Sequence, residues 1–312
     1  LLLRLMGALH WRTSDYDQAA LYYAQSLAMA NASGDNISIS EALNGLSFVD
    51  SLRGNYPFAK ERAEAALEFA QAANDQLNEA RALSNLGIVA ESQEEYDTAF
   101  ASYQRGLAIF RELNDTRGIA ATLNNLGSVA DSRGDYQQAQ TYYEESLNLC
   151  HTIGYRHGIA TLLNNIGILR ERLQDLPGAL TTYQQSLKIS QEIGDPRGQD
   201  HCYANMVFVA AGLDQLEEAR IYARHALKIA DDLDIGYILP HVLAGYAFIA
   251  LKEDRPIICA EILGTVLTMP DLDDDFCSLR FDPIAHQLEA ALNDDDRNAA
   301  INRGKARAAR DL

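Results

Sequence analysis

Apolar residues along the chain recur at spacings of three and four, and short polar stops break the pattern. Across positions 117–132, Leu123, Leu126, Val129 and Ala130 fall on one face of a helix. Gly134 suits the left-handed residue that ends a helix, and Asp135 is a good N-cap for the next one. Gln138, three residues on, completes a capping-box pattern. The second helix is expected to bury Tyr136, Ala139, Tyr143, Leu147 and Leu149 and to stop near Gly154. Connections this short make consecutive helices antiparallel neighbours.

The whole unit returns after 40 residues. Tyr16, Tyr56, Tyr96 and Tyr136 keep that spacing without slippage, and Leu176, Leu216 and Pro256 continue the column. Three positions on stand Ala19, Ala59, Ala99, Ala139, Ala179, Ala219 and then Cys259. A bulky column reads Tyr23, Tyr103, Tyr143 and Tyr183, with Ala63 and Ala223 as exceptions. Another reads Gly7, Ser47, Gly87, Gly127 and Gly167, then Val207 and Ala247. Glycine inside a helix costs up to about 1 kcal/mol relative to alanine. Its return at one position implies a tight helix crossing. The pattern predicts an all-α solenoid of about seven helix–turn–helix repeats, each touching only its neighbours.

The order of Leu83, Leu86, Gly87, Ala99, Tyr103 and Gly106 resembles the tetratricopeptide repeat signature, whose usual period is ~34 residues. The longer form seen here has Asn-Leu-Gly in the first helix (A) and Gly-Asp-Tyr at the turn. It is similar to arrays in bacterial signalling regulators, kinesin light chains and mitotic-spindle adaptors. The resemblance implies a right-handed superhelix with the A helices lining a concave groove. The array is expected over residues 1–269, with its first repeat truncated. Residues 270–312 then hold an acidic loop (Asp271, Asp273, Asp274, Asp275) and two capping helices near 283–292 and 295–310. The last repeats lose the Gly-Asp-Tyr turn, as terminal repeats do. The ending from Ala260 resembles the C-terminus of large bacterial regulators that carry a repeat arm behind a nucleotide-binding switch (STAND ATPase), a LuxR-type DNA-binding domain or a cyclase domain. With Leu1 already inside a helix, the chain reads as a piece of such a protein; a native N-terminus with a frayed first helix is the alternative. Leu2, Leu3 and Met6 would then lack a covering element, which leaves room for self-association.

Charge and cysteine usage narrow the function classes. With 26 basic and 44 acidic residues the net charge is −18, against non-specific nucleic-acid binding, which needs a basic footprint. The cluster Arg303, Lys305, Arg307 and Arg310 is expected to lie against acidic surface or favour a helix C-terminus. Cys150, Cys202, Cys259 and Cys277 are widely spaced with no CxxC, which fits a reducing, cytoplasmic setting and no zinc site. No apolar run approaches membrane-spanning length. His201 and His241 occupy equivalent places in adjacent repeats, and solvated histidines are expected there rather than metal ligands. No GxSxG, HExxH or phosphate-binding glycine loop is present, so neither a cofactor nor an enzyme is expected.

Helix A carries a repeated polar signal. Asn85, Asn125, Asn165 and Asn205 form one column, with Gly45 and Gly245 at its ends, and Asn44, Asn124 and Asn164 stand in the preceding one. Asparagine is a mediocre helix former because its side chain competes for backbone groups. In the peptide-binding families that the chain resembles, such asparagines hold the main chain of an extended peptide. A carboxamide offers one acceptor and two donors, matching a peptide unit. An inter-helix hydrogen-bond ladder explains the same column, and both roles can coexist. Arg81 and Arg172 are further groove candidates by register. The function expected is a peptide- or protein-binding sensor arm of a larger bacterial signalling or transcriptional regulator, coupled to upstream domains. A constitutive scaffold is the alternative, and a phosphatase-like regulator of signalling proteins a more distant one.

Overall fold

The computed structural model describes residues 1–12, 15–233, 239–269, 272 and 277–311, and these are helical throughout, apart from turns. The chain divides into two compact units, Leu1–Ile153 and Gly154–Leu312. The first contains α1 (Leu2–Arg12), α2 (Tyr16–Ser33), α3 (Asn36–Leu52), α4 (Tyr56–Ala72), α5 (Gln76–Ser92), α6 (Tyr96–Glu112), α7 (Thr116–Ser132) and α8 (Tyr136–Thr152). The second contains α9 (Arg156–Arg172), α10 (Leu176–Ile193), α11 (Pro196–Gly212), α12 (Leu216–Leu233), α13 (Leu239–Lys252) and α14 (Pro256–Val266). A π-helical turn (Cys277–Phe281), α15 (Asp282–Ala291) and α16 (Asp294–Asp311) follow. Up to α14, odd-numbered helices are the expected A helices and even-numbered ones the B helices. Within the first unit α1, α3, α5 and α7 pack in series as well as on their B partners; in the second, α9, α11 and α13 do the same. Each unit therefore presents a face made of A helices.

A left-handed residue ends almost every helix. Gly34, Gly54, Gly134, Gly154 and Gly194 take positive φ, and so do Asn74, Glu94, Asn114, Gln174, Asp214 and Asp254. The next residue caps the following helix wherever it is aspartate. The carboxylates of Asp75, Asp115, Asp135, Asp175 and Asp195 accept from the backbone N–H three residues on. The expected capping box at Asp135 forms by half: Asp135 accepts from the Gln138 N–H at 3.2 Å, while the Gln138 amide donates to the Tyr142 hydroxyl instead.

The alanine column is the tightest part of the interior. Ala19, Ala59, Ala99, Ala139, Ala179, Ala219 and Cys259 are all fully buried. Beside it, each tyrosine ring lies flat against a glycine of an A helix. A Cβ added to Gly87, Gly127 or Gly167 would run into the ring of Tyr103, Tyr143 or Tyr183. Where the ring is missing the glycine is missing too: Ala63 pairs with Ser47, whose hydroxyl donates to the Ala59 carbonyl at 2.7 Å. Helix α8 departs from expectation on its far side. Tyr136, Leu147 and Leu149 are half-buried, and Ser146 and Cys150 turn inward instead. Ser146 can do so because its hydroxyl donates to the Ala120 carbonyl at 2.7 Å.

The capping helices form close to their expected places. Helix α16 crosses α14 at two glycines, Gly264 and Gly304, where either Cβ would meet the other helix's backbone. Arg303 donates to Glu261 at 2.8 Å, with Arg307 beside it, so this basic cluster lies on an acidic residue as expected. Asp271, Asp273, Asp274 and Asp275 lie outside the described residues, as does the side chain of Arg310. Among the described residues no helix is long and apolar enough to cross a membrane. The four cysteines are free thiols.

One interior position breaks the repeat. Ala80, Ala120 and Ala160 are followed 40 residues later by Asp200, only 1 % exposed, whose carboxylate accepts no hydrogen bond among the described residues. Burial pushes this carboxyl up to about 7 against the pull of the Arg197 guanidinium. The unfolded chain thus releases the proton at lower pH than the folded chain does. The stability that Asp200 contributes falls as pH rises between about 4 and 7 and stays low above that window.

Two outcomes follow for unfolding experiments. Asp200→Ala, which restores the residue of the three preceding repeats, should stabilise the chain by on the order of 3 kcal/mol at pH 8. Its gain should shrink toward zero near pH 4, as read by urea unfolding across pH. Gly127→Ser should destabilise by ~1–3 kcal/mol through overpacking against Tyr143. Adding Tyr143→Ala, the combination already present at Ser47 and Ala63, should cost less than the two single changes summed.

Candidate functional site

The A-helix face of the first unit holds a cavity of about 450 Å³. Its apolar wall is Phe48 of α3, Ile88 of α5 and the buried ring of Phe110 at the end of α6. Asn85 and Asn125 line it from α5 and α7. Arg81 and Arg117, both exposed, stand at its rim, with Asp115 and the small residues Gly118 and Ala121 beside them. The period places these side chains together: Asn85 and Asn125 are one repeat apart, and Arg81 lies one helical turn before Asn85. The cavity thus combines apolar wall, carboxamides and guanidinium groups.

The asparagines do not all do the same work. The Asn44 amide donates to the Asn78 carbonyl at 3.1 Å, tying α3 to α5. The Asn85 amide donates back to the Asn44 carbonyl at 3.0 Å and lies 3.2 Å from its side-chain oxygen. Asn44 and Asn85 are both buried, so this part of the column is an inter-repeat ladder. Asn124 donates to Asn125 within α7 at 3.3 Å, and both remain half-buried. The Asn125 side chain also reaches the Tyr103 hydroxyl, which donates to Glu91 at 2.7 Å. Arg81 donates to the Asn78 side chain at 3.3 Å, which steadies its stem at the rim.

In the second unit the ladder meets a residue from outside the repeats. Asn205 donates to the Asn164 side-chain oxygen at 3.1 Å. Its own oxygen accepts from Arg280 of the π-helical turn at 2.9 Å. Arg280 makes a two-pronged bond to Glu171 at 2.6 and 2.7 Å and lies 4.5 Å above the Phe208 ring. The Tyr183 hydroxyl donates to the same carboxylate at 2.7 Å. Arg280 and Glu171 are 4 % and 5 % exposed. Burial opposes the Arg280 charge, but Glu171 and Tyr183 together outweigh it and hold the guanidinium above its ordinary range. Burial and the Glu171 charge likewise push the Tyr183 phenol far up, so it remains a donor. Removing one partner of such a pair costs about 3–5 kcal/mol, because a buried charge is left alone.

Among the sequence candidates, the first unit brings Asn85, Asn125 and Arg81 to one cavity and places Asn44 and Asn124 next to it. The second brings Asn164 and Asn205 together, with Asn165 half-buried beside them. Arg172 stands half-buried at the end of α9; the charged residue at the unit's polar centre is its neighbour Glu171. Sequence reasoning missed Glu171, Arg280 and Arg117. A signal for Glu171 existed in its column, where Glu91 and Asp131 precede it, each 12 residues before a tyrosine.

Comparison with known proteins agrees with this architecture. The tetratricopeptide repeat family model matches residues 1–72, 38–112, 78–152 and 158–232. No curated protein matches the sequence. Among solved structures, a Rap protein complexed with competence and sporulation factor superposes with a TM-score of 0.67 at 13% identity, covering 95% of this chain and 87% of that one. The apo form of the quorum sensor NprR from B. thuringiensis gives 0.65 at 18%, covering 85% and 74%. A signal transduction ATPase with a tetratricopeptide repeat sensor from Pyrococcus horikoshii gives 0.60 at 17%; 96% of this chain matches 44% of that protein. At such identities the likeness is one of fold. With the family matched over most of its length and its helix pairs formed throughout, the chain belongs to the tetratricopeptide repeat family.

Proposed function

We propose that the chain is a peptide-binding sensor arm of a larger bacterial regulator, and that the A-helix face of its first unit holds an extended peptide segment. The observation that carries this is the cavity where Asn85 and Asn125 lie between an apolar wall and two exposed guanidinium groups. Carboxamides match the donors and acceptors of a peptide main chain. Phe48 and Ile88 take an apolar side chain, and Arg81 with Arg117 favours a carboxylate. The solved relatives support a peptide ligand: one Rap structure is described as a complex with competence and sporulation factor, another with the Phr* peptide. Coupling to upstream domains needs a ligand that binds two states of the array unequally. The role the groups of the cavity serve is recognition, in a cytoplasmic setting of the kind that keeps thiols reduced.

Peptide display against the full chain provides the test. Selected peptides should carry Asp or Glu beside an apolar residue. Arg81→Glu with Arg117→Glu should weaken their binding at least about tenfold, since each charged hydrogen bond contributes ~1.5–3 kcal/mol. The melting temperature should hardly move, both arginines being exposed. Asn85→Ala should instead lower stability by ~1–3 kcal/mol, because its amide ties α5 to α3. Selected peptides that bind the double arginine variant as well as the parent would remove this cavity from the reading.

A further inference from the structure

The polar centre of the second unit is a complete receptor for a guanidinium group. Glu171 supplies two oxygens in the fork geometry that suits arginine. Asn205 supplies a third acceptor, and the Phe208 ring closes the opposite side at 4.5 Å. Every wall of it comes from repeat helices α9, α10 and α11, and each wall has a partner besides Arg280. Tyr183 orients Glu171, Asn164 holds Asn205, and Phe248 stacks on Phe208 with ring centres 6.5 Å apart. The guanidinium alone arrives from elsewhere, on a five-residue turn 109 residues along the chain from Glu171. The backbone of that turn packs mainly on α13 and α15, and Arg280 is its reach to the repeat helices α9 and α11. Lysine would fill one oxygen where arginine fills two and stacks as well.

We propose that this centre is an arginine-recognition site on the A-helix face, that Arg280 is its resident ligand supplied by the chain itself, and that an arginine side chain of a bound peptide takes Arg280's place. The exchange conserves the interactions: one guanidinium leaves Glu171, Asn205 and Phe208 and another arrives, so the buried carboxylate is never left unpaired. The site shares no residue with the cavity of the first unit, and its failure would leave that reading untouched.

The test uses the full chain with Arg280→Ala and L-argininamide as probe. The variant should melt below the parent. Argininamide should raise its melting temperature in a saturable way, and lysinamide and norvalinamide should not. Arg280→Ala with Glu171→Gln should show no such rise. Should Arg280→Ala lose its helical circular dichroism, Arg280→Lys carries the same titration, since it keeps a charge beside Glu171. For exchange in the parent chain, half-buried Cys277 is the reporter, because Cys150, Cys202 and Cys259 are buried. A synthetic peptide with the sequence of residues 279–283 should bind Arg280→Ala at least about tenfold more tightly than the parent. At high concentration it should speed thiol labelling of the parent, and its norvaline counterpart should not. A folded variant indifferent to argininamide, an equal response in the Glu171→Gln background, or unchanged Cys277 labelling overturns the proposal and leaves Arg280 a fixed strut.

Discussion

The structure depends on a metre of twenty residues. A left-handed residue stands at 34 and at every twentieth described position from there to 214, and again at 254. Helices cut to one length start on the same face each time, so identical columns meet identical columns. The metre is kept even where its chemistry is poor. Glu94, Gln174 and Asp214 hold a conformation that an L-residue with a side chain adopts at a cost of roughly 1–2 kcal/mol. The surrounding helices stay in register because the turn keeps its place, whatever residue occupies it.

Much of this was legible in the sequence, because it is local and repeated. The alanine and tyrosine columns and the cap at Asp135 follow from spacing alone. The partner of the glycine column was not legible as such. Glycine signalled a tight crossing, but only the geometry shows that the ring of Tyr103, Tyr143 or Tyr183 fills the space. The asparagine column shows a second limit. Asn85 and Asn125 are the same residue in the same register, yet one ties two repeats while the other bonds within its own helix and to a tyrosine. What each does is set by the neighbour it meets, which spacing does not encode. Arg280 marks a third limit: its bond to Glu171 spans 109 residues and involves a segment with no repeat to align.

The two units use similar A-helix faces differently. In the first, the carboxamides border a cavity rimmed by exposed arginines. In the second, the corresponding surface is filled by a buried ion pair, a tyrosine hydroxyl and an aromatic ring. A buried ion pair gives little net stability against an apolar pair of the same size, and it punishes the loss of either member. Such a centre specifies what lies against the array more than it strengthens the array.

The tyrosine-on-glycine contact also constrains how repeats of this kind can diverge. A chain that holds both members can lose the ring first, leaving a hole that neighbours partly refill, at about 3–5 kcal/mol. Once the ring is gone, the glycine is free to gain a side chain, and that gain recovers helix propensity. Taken in the opposite order, the new side chain collides with an intact ring. Either order passes through a destabilised intermediate, a hole when the ring goes first and an overpacked crossing when the glycine does, so the Gly127–Tyr143 and Ser47–Ala63 states are separated by a barrier in stability. A repeat that has crossed to the alanine form meets the same barrier on the way back, and paired substitution is what escapes it.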